Sequence, residues 1–184
     1  MSALDYLYIS GVNYESIADG EGVRAAIFFS GCPHRCKGCQ NPKTWRTDNG
    51  VPAKDMIQTI ADNINKRSGF LTGITLTGGD PVFSAPGVSD FLDQLFALLR
   101  RKDYTVWCYT GYRWEQLAAY FKAPPCSMFS YIDVLVDGKF EFEHRDVSLL
   151  YRGSSNQRLI DVRDTLSSGE LVTFDYADEK RPRH

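Results

Sequence analysis

Three cysteines lie in one short stretch of the chain, at Cys32, Cys36 and Cys39. Three residues separate the first pair and two residues separate the second pair. Iron–sulfur clusters are usually held by four thiolates, and no fourth cysteine continues this spacing. A four-iron cluster bound here would keep one iron without a protein ligand, as catalytic zinc keeps an open position when three residues hold it. The stretch therefore predicts a cluster that binds a substrate or cofactor.

A zinc site completed by His34 or Cys126 is the main alternative for these cysteines. Structural zinc ligands usually come as two separated pairs rather than as one loop of three, so the spacing favours the cluster. We expect His34 at the surface or behind the ligands. Cys108 lies in an apolar strand pattern and is expected to be a small core residue.

Bulk composition limits the class of protein. The chain has 184 residues, 43% of them hydrophobic, and a formal net charge of −2. These values predict one globular domain over residues 1–177 and a short charged tail at 178–184. The absence of a basic run argues against nucleic-acid binding. No targeting segment or membrane span is recognisable, so we expect a cytoplasmic protein with no membrane partner.

Strand-like and helix-like apolar patterns alternate along the chain, which predicts a β/α protein. Each predicted strand ends in a loop that contains Gly, Cys, Asp or Lys, and such loops form the active-site rim in parallel β/α folds. One helix is expected to begin at the N-cap Ser89. The predicted strands cover residues 23–29, 73–76, 105–109 and 132–136, and the other helices cover 54–66 and 114–121.

The length of the chain limits the kind of β/α fold. A complete eight-unit barrel typically needs about 250 residues. We therefore expect an α/β fold of the partial, open barrel type, with five or six mostly parallel strands.

A second motif, Thr-Gly-Gly-Asp-Pro, follows the second of these strands at residues 77–81. On its own it is as consistent with an ordinary turn as with a binding loop. Two glycines let a ligand approach the backbone closely, and the cysteine loop upstream makes a binding role more specific.

Together the two motifs resemble those of the radical S-adenosylmethionine superfamily, in the same order along the chain. Within it the sequence is similar to the anaerobic ribonucleoside-triphosphate reductase activating proteins, a family of glycyl-radical activases. The similarity covers nearly the whole chain. The segments that carry it are residues 19–24, 30–32, 36–45, 77–81, 109–112, 134–140 and 151–158.

This resemblance implies a 4Fe-4S cluster on Cys32, Cys36 and Cys39, with S-adenosylmethionine chelated to the open iron. It also implies reductive cleavage of that cofactor to a 5′-deoxyadenosyl radical, which takes a hydrogen atom from a glycine of anaerobic ribonucleoside-triphosphate reductase. An electron donor such as a flavodoxin or ferredoxin is implied as a second partner.

The resemblance further implies where the cofactor binds. Backbone groups of Gly78, Gly79 and Asp80 would hold the methionyl amine, so removal of the Asp80 side chain is expected to matter less than removal of the glycines. Lys139 is a candidate for the cofactor carboxylate, although a solvated lysine in a turn is an equal alternative. The remaining candidates for cofactor binding are Asn41, Thr110 and Asp137.

Two segments and two other functions stay open. Residues 152–158 either contact a partner loop or cap a helix at Asp161, and residues 19–24 either lie near the open side or form a plain turn. A radical enzyme for a small molecule, such as 7-carboxy-7-deazaguanine synthase, is the alternative enzyme. A zinc-binding interaction module is the alternative without catalysis.

Overall fold

The computed structural model describes residues 2–176, and the predicted tail at 178–184 lies outside them. Its centre is a mixed eight-stranded sheet. The strands are β1 (Tyr8–Ser16), β2 (Arg24–Phe29), β3 (Val51–Pro52), β4 (Gly73–Gly78), β5 (Thr105–Tyr109), β6 (Val134–Asp137), β7 (Arg158–Asp161) and β8 (Thr173–Phe174). Their order in the sheet is β3-β1-β2-β4-β5-β6-β7-β8.

The middle of the sheet is parallel and its two sides are antiparallel. Strands β2, β4, β5 and β6 pair in parallel, which confirms the four predicted strands and brings their carboxyl ends to one edge. The prediction of five or six mostly parallel strands missed the four antiparallel pairings at the sides. Strands β1 and β2 run antiparallel because only a short connection joins them, whereas a parallel pair needs a long crossover.

Five α-helices accompany the sheet, and none in the described part of the chain is long and apolar enough to cross a membrane. Helices α1 and α3 lie where the apolar patterns predict them. The helices are α1 (Ala53–Lys66), α2 (Ala85–Leu98), α3 (Trp114–Lys122), α4 (Met128–Tyr131) and α5 (Val162–Ser168).

Helix α2 begins at Ala85, four residues before Ser89. The prediction that Ser89 is its N-cap was therefore wrong. Ser89 lies inside the helix and its hydroxyl donates to the Ala85 carbonyl at 2.8 Å. Pro86 and Gly87 look like a helix break in the sequence, but proline is well tolerated in the first turn, where its missing N–H has no helical partner. The proline therefore marks the start of α2 rather than a loop.

Apolar side chains cover both faces of the sheet. In β5, Val106 and Cys108 belong to the main core with the helices, whereas Trp107 belongs to a smaller cluster with Val136 and Leu159. This alternation follows from the two-residue period of a strand. Cys108 is fully buried, which confirms that it is a core residue.

Arg24 anchors the turn at residues 19–24 to the parallel strands. Its guanidinium is buried, and burial lowers its pKa to about 10. The group lies 5.3 Å from the Trp107 ring. It donates to Thr75 Oγ1 at 2.7 Å and to the carbonyls of Ile74, Thr105 and Glu21 at 2.9, 2.8 and 3.1 Å. The arginine of this segment thus has a structural role.

Candidate functional site

The cysteine loop leaves the carboxyl end of β2 and is fixed at its base. The Gly31 N–H donates to the Thr44 carbonyl at 2.7 Å, and the Cys32 N–H donates to the Trp45 carbonyl at 3.2 Å. Both acceptors belong to a 3-10 helix at Pro42–Trp45. Within the loop the Cys39 N–H donates to the Cys36 carbonyl at 3.2 Å. These hydrogen bonds keep the three cysteines together on one short loop.

A cleft of about 590 Å³ opens at the carboxyl edge of the parallel strands. Loops that follow β2, β4, β5 and β6 all contribute to its wall, as the sequence predicts for an active-site rim. Of the candidate residues, those that line the cleft are Cys32, Cys36, Cys39, Asn41, Gly78, Gly79, Asp80, Thr110 and Lys139.

The three thiols suit ligation of a four-iron cluster. Each is half-buried and free of any disulfide. The Asn41 N–H donates to Cys39 Sγ at 3.3 Å, a type of contact that tunes cluster thiolates. Within residues 2–176 no three His, Cys, Asp or Glu side chains meet closely enough to hold one metal ion. A four-iron cluster does not require that, because each cysteine binds a different iron.

The electrostatic surroundings of the thiols bear on how a metal binds. Burial raises the pKa of the Cys32 and Cys36 thiols, and the nearby charge of Lys139 acts on Cys36 in the opposite direction. Thiolates rather than thiols ligate metal, so loading the cluster releases protons.

The backbone after β4 is shaped by two glycines. Gly78 has a φ of +97°, which favours glycine, and a Cβ at Gly79 would lie 2.4 Å from the Gly31 carbonyl oxygen. The N–H groups of Gly79 and Asp80 donate to the carbonyls of Phe29 and Gly31, both at 2.8 Å. Because these donors are engaged, carbonyl oxygens are what the segment offers a ligand. An ammonium group is a donor only and needs such acceptors.

The Asp80 carboxylate joins the rim loops. Its side chain is buried and accepts from the N–H of Val82 at 3.0 Å and of Gly111 at 2.9 Å. Thr110 Oγ1 and His34 Nε2 lie 3.0 and 2.8 Å from it. This network does not favour the expectation that the Asp80 side chain matters little, because several donors depend on that one group.

His34 lines the same cleft as the cysteines, and it is not at the surface, which was one of the two positions expected from the sequence. Its side chain is only 8% exposed, and its ring packs edge-on against Tyr112 with the ring centroids 4.7 Å apart. A Cβ at Gly111 would lie 2.3 Å from the ring, so the glycine makes room for it. The bond to Asp80 was not predicted. A histidine inside the ligand spacing, together with a glycine on a neighbouring rim loop, is the signal that sequence reasoning passed over.

Asp137 lies behind the rim and is not part of the cleft wall. Its carboxylate is fully buried and accepts from the Trp114 N–H at 2.7 Å, which caps α3, and from Arg158 Nε at 2.9 Å. Arg158 also reaches Glu115 at 2.9 Å. Asp137 is thus buried behind the rim whereas Lys139 lines the cleft, and this geometry does not favour the predicted cofactor contact of Asp137.

The segment at residues 152–158 holds the rim loop in place. Gln157 accepts from the Gly153 N–H at 2.9 Å and donates to the Gly138 carbonyl at 3.0 Å. Asn156 donates to the Lys139 carbonyl at 2.9 Å. The side chain that caps α5 is Asp161, which accepts from the Asp164 N–H at 2.9 Å. The segment has a local structural role, and its role in partner docking stays a prediction.

Comparison with known proteins gives concordant results. The profile of the family described as "4Fe-4S single cluster domain" matches residues 18–160. An anaerobic ribonucleoside-triphosphate reductase-activating protein of Salmonella typhi is 39% identical over 77% of this chain and 90% of the relative. The values for the protein of that name in Escherichia coli K12 are the same. The protein of that name in Enterobacteria phage T4 is 34% identical over 80% of this chain and 93% of its own length.

Proposed function

Because the chain belongs to the family of anaerobic ribonucleoside-triphosphate reductase-activating proteins, we propose that it generates the glycyl radical of an anaerobic ribonucleoside-triphosphate reductase. The observation that carries this proposal is the meeting of three free cysteines with the Gly-Gly-Asp segment in one cleft. A 4Fe-4S cluster held by these cysteines would supply the electron for reductive cleavage of S-adenosylmethionine to methionine and a 5′-deoxyadenosyl radical, and that radical would take a hydrogen atom from a reductase glycine.

The chain supplies ligands, orientation and shielding. Cys32, Cys36 and Cys39 hold the cluster, and the loop ties at Thr44 and Trp45 keep the thiolates together. The half-buried position of the thiols limits contact with water and oxygen. A protected site matters because a radical reacts with whatever reaches it first.

The cofactor's methionyl end would bind at the Gly-Gly-Asp segment, which contacts the base of the cysteine loop through the bond from the Asp80 N–H to the Gly31 carbonyl. Carbonyl oxygens of Gly78 and Gly79 would accept from its ammonium group, and Lys139, which also lines the cleft, would bind its carboxylate. Thr110 and Asn41 are the other cofactor-binding candidates at the rim. Thr110 is the less specific of them for the cofactor, because its hydroxyl already donates to Asp80.

The fold we propose in detail is a partial β/α barrel of the radical S-adenosylmethionine type, as one domain. Four parallel strands with helices on one face support it. Its open side would admit the reductase's glycine segment. Ile17 and Leu150, which are 73% and 50% exposed, both line the cleft and offer apolar contact there.

An electron donor such as a flavodoxin or ferredoxin completes the proposal. The cysteine loop and its 3-10 helix carry cations and no acidic residue between positions 31 and 47. All of these cations are exposed, although two are paired with Glu143 and Asp48. Such a surface next to the cluster favours an acidic donor. The cations are Arg35, Lys37, Lys43 and Arg46.

Electron paramagnetic resonance tests the function directly. Protein reconstituted with iron and sulfide under anaerobic conditions is reduced and measured with and without S-adenosylmethionine, then with the reductase added. We expect a cluster signal that changes with the cofactor, followed by a glycyl radical signal on the reductase. A cluster signal with cofactor cleavage but no reductase radical would favour the small-molecule enzyme, and a silent zinc protein would favour the interaction module.

Substitution of Lys139 tests its cofactor contact. Loss of one exposed charged hydrogen bond in Lys139→Ala is expected to weaken S-adenosylmethionine binding about tenfold. Lys139→Arg keeps the charge and should bind within about threefold of the wild type. Anaerobic equilibrium dialysis measures both constants. Equal affinity of the alanine variant and the wild type would show that Lys139 is only a solvated turn residue.

A further inference from the structure

His34 connects the cysteine loop with the rim after β4. It stands in the three-residue gap between Cys32 and Cys36, away from the loop's backbone ties at Gly31 and Cys32. Its Nε2 is 2.8 Å from Asp80 Oδ2. Because the Asp80 carboxylate accepts from its other partners, the hydrogen of this bond belongs to the histidine ring.

The same carboxylate oxygen also holds the rim after β5. Asp80 Oδ2 accepts from the Gly111 N–H at 2.9 Å and from Thr110 Oγ1 at 3.0 Å. Loops from three parallel strands thus meet at one buried group. A shift of any one loop changes the hydrogen bonds of the others, so the three cannot move independently.

Neighbouring residues enclose the ring of His34 where it meets Asp80. It packs against Tyr112 in a T-shaped arrangement with the ring centroids 4.7 Å apart, and Gly111 leaves the space that the His34 ring fills. Arg35, the next residue, has a φ of +47°. A residue other than glycine rarely adopts that conformation, and here it directly follows the residue whose ring is buried at the rim.

We propose that His34 is a positioning residue that fixes the cysteine loop against the cofactor-binding rim through Asp80. The inference rests on the proposed function, in which thiolates and rim must hold cluster and cofactor at a fixed separation. Support of a metal ligand by a neighbouring hydrogen bond is typically worth about 10- to 100-fold in affinity or activity. His34 acts on the ligands through the loop rather than by direct contact, so we expect the lower end of that range.

Two substitutions separate the hydrogen bond from the packing. His34→Phe keeps an aromatic ring against Tyr112 but removes the donor. His34→Gln loses the ring but keeps an N–H at similar reach. His144→Phe is the matched control, because His144 is exposed and paired with Glu141 outside the cleft wall.

The test is a titration of each reduced, iron-reconstituted protein with S-adenosylmethionine, followed by electron paramagnetic resonance and by iron content. His34→Phe should need about tenfold more cofactor than the wild type to reach half of the spectral change, or fail to retain the cluster that His34→Gln retains. His34→Gln should stay within about threefold, and His144→Phe should match the wild type. A His34→Phe titration equal to that of the wild type would overturn the proposal, as would equal losses in both His34 variants.

A second measurement tests the role of His34 without the cofactor. If the wild type shows no cofactor-dependent spectrum, that result counts against the proposed function alone, and this second measurement still decides the role of His34. The rate at which iodoacetamide alkylates Cys32, Cys36 and Cys39 in the iron-free protein reports how firmly the loop is held. Loosening of half-buried thiols should raise this rate about threefold or more in His34→Phe and leave it near the wild-type value in His34→Gln. Unchanged rates in His34→Phe would contradict the tie to Asp80.

Discussion

Substitution of Cys36 by alanine is expected to abolish the cluster and with it all cleavage of S-adenosylmethionine. Two thiolates cannot hold a cluster that already lacks a fourth cysteine. The fold should survive, because Cys36 lies on a loop and the carbonyl that accepts from Cys39 is backbone. We expect the free energy of unfolding to change by less than about 1 kcal/mol.

Iron content, the reduced-state resonance signal and 5′-deoxyadenosine formation measure this outcome, and urea unfolding checks the fold. Cys126→Ala is the matched control, since Cys126 is also half-buried and free but lies outside the cleft wall. It should retain iron and activity. Cofactor cleavage by Cys36→Ala at the wild-type rate would refute the ligand assignment.

Substitution of Asp80 by alanine is expected to damage both stability and cofactor chemistry. The N–H groups of Val82 and Gly111 and the hydroxyl of Thr110 would lose their shared acceptor. Each unsatisfied buried donor costs about 1–3 kcal/mol, so we expect a loss of about 3 kcal/mol or more in the free energy of unfolding. Misplacement of the rim by about 1 Å is enough to reduce the cleavage rate about 100-fold.

Urea unfolding measures the free energy of unfolding, and anaerobic turnover of S-adenosylmethionine measures the cleavage rate. Asp80→Asn retains one acceptor oxygen and should fall between the wild type and Asp80→Ala in both. Asp48→Ala, which removes an exposed carboxylate from the same region, should leave both unchanged. An Asp80→Ala protein that unfolds like the wild type but has lost cofactor binding would show that Asp80 contacts the cofactor rather than the loops.

The parallel strands and the cluster-binding chemistry were easier to predict from the sequence than the remaining strands and the contacts between loops. Parallel strands β2, β4, β5 and β6 are buried almost throughout because both faces of the sheet are covered, and their sequences are correspondingly rich in apolar and β-branched residues. Strand β1 was missed because burial along it is irregular and its pairing with β2 contains two register shifts, so no regular alternation marks it, and β3 and β8 are too short to show any periodicity. The two-residue alternation of a strand can be recognised only when the strand is several residues long.

The site shows the same division. The positions of Cys32 and Lys139 in the cleft follow from where their strands end. The roles of Asp80, Asp137 and His34 depend on donors that are distant in sequence, such as Gly111 for Asp80 and Trp114 for Asp137. Spacing along the chain does not show which donors on these loops will reach a given carboxylate, so a buried carboxylate that organises a rim looks the same as one that binds a ligand.

The sheet ends on both sides in strands of two residues, β3 and β8. Because β3 pairs only with Tyr8 and Ile9 of β1, the outer edge of β1 over residues 10–16 has no strand beside it within residues 2–176. An extended polypeptide can pair with that edge, but none of residues 10–16 lines the cleft. Selectivity for a glycine segment that enters the cleft then resides in side chains at the cleft mouth, where single substitutions can change it without altering the sheet.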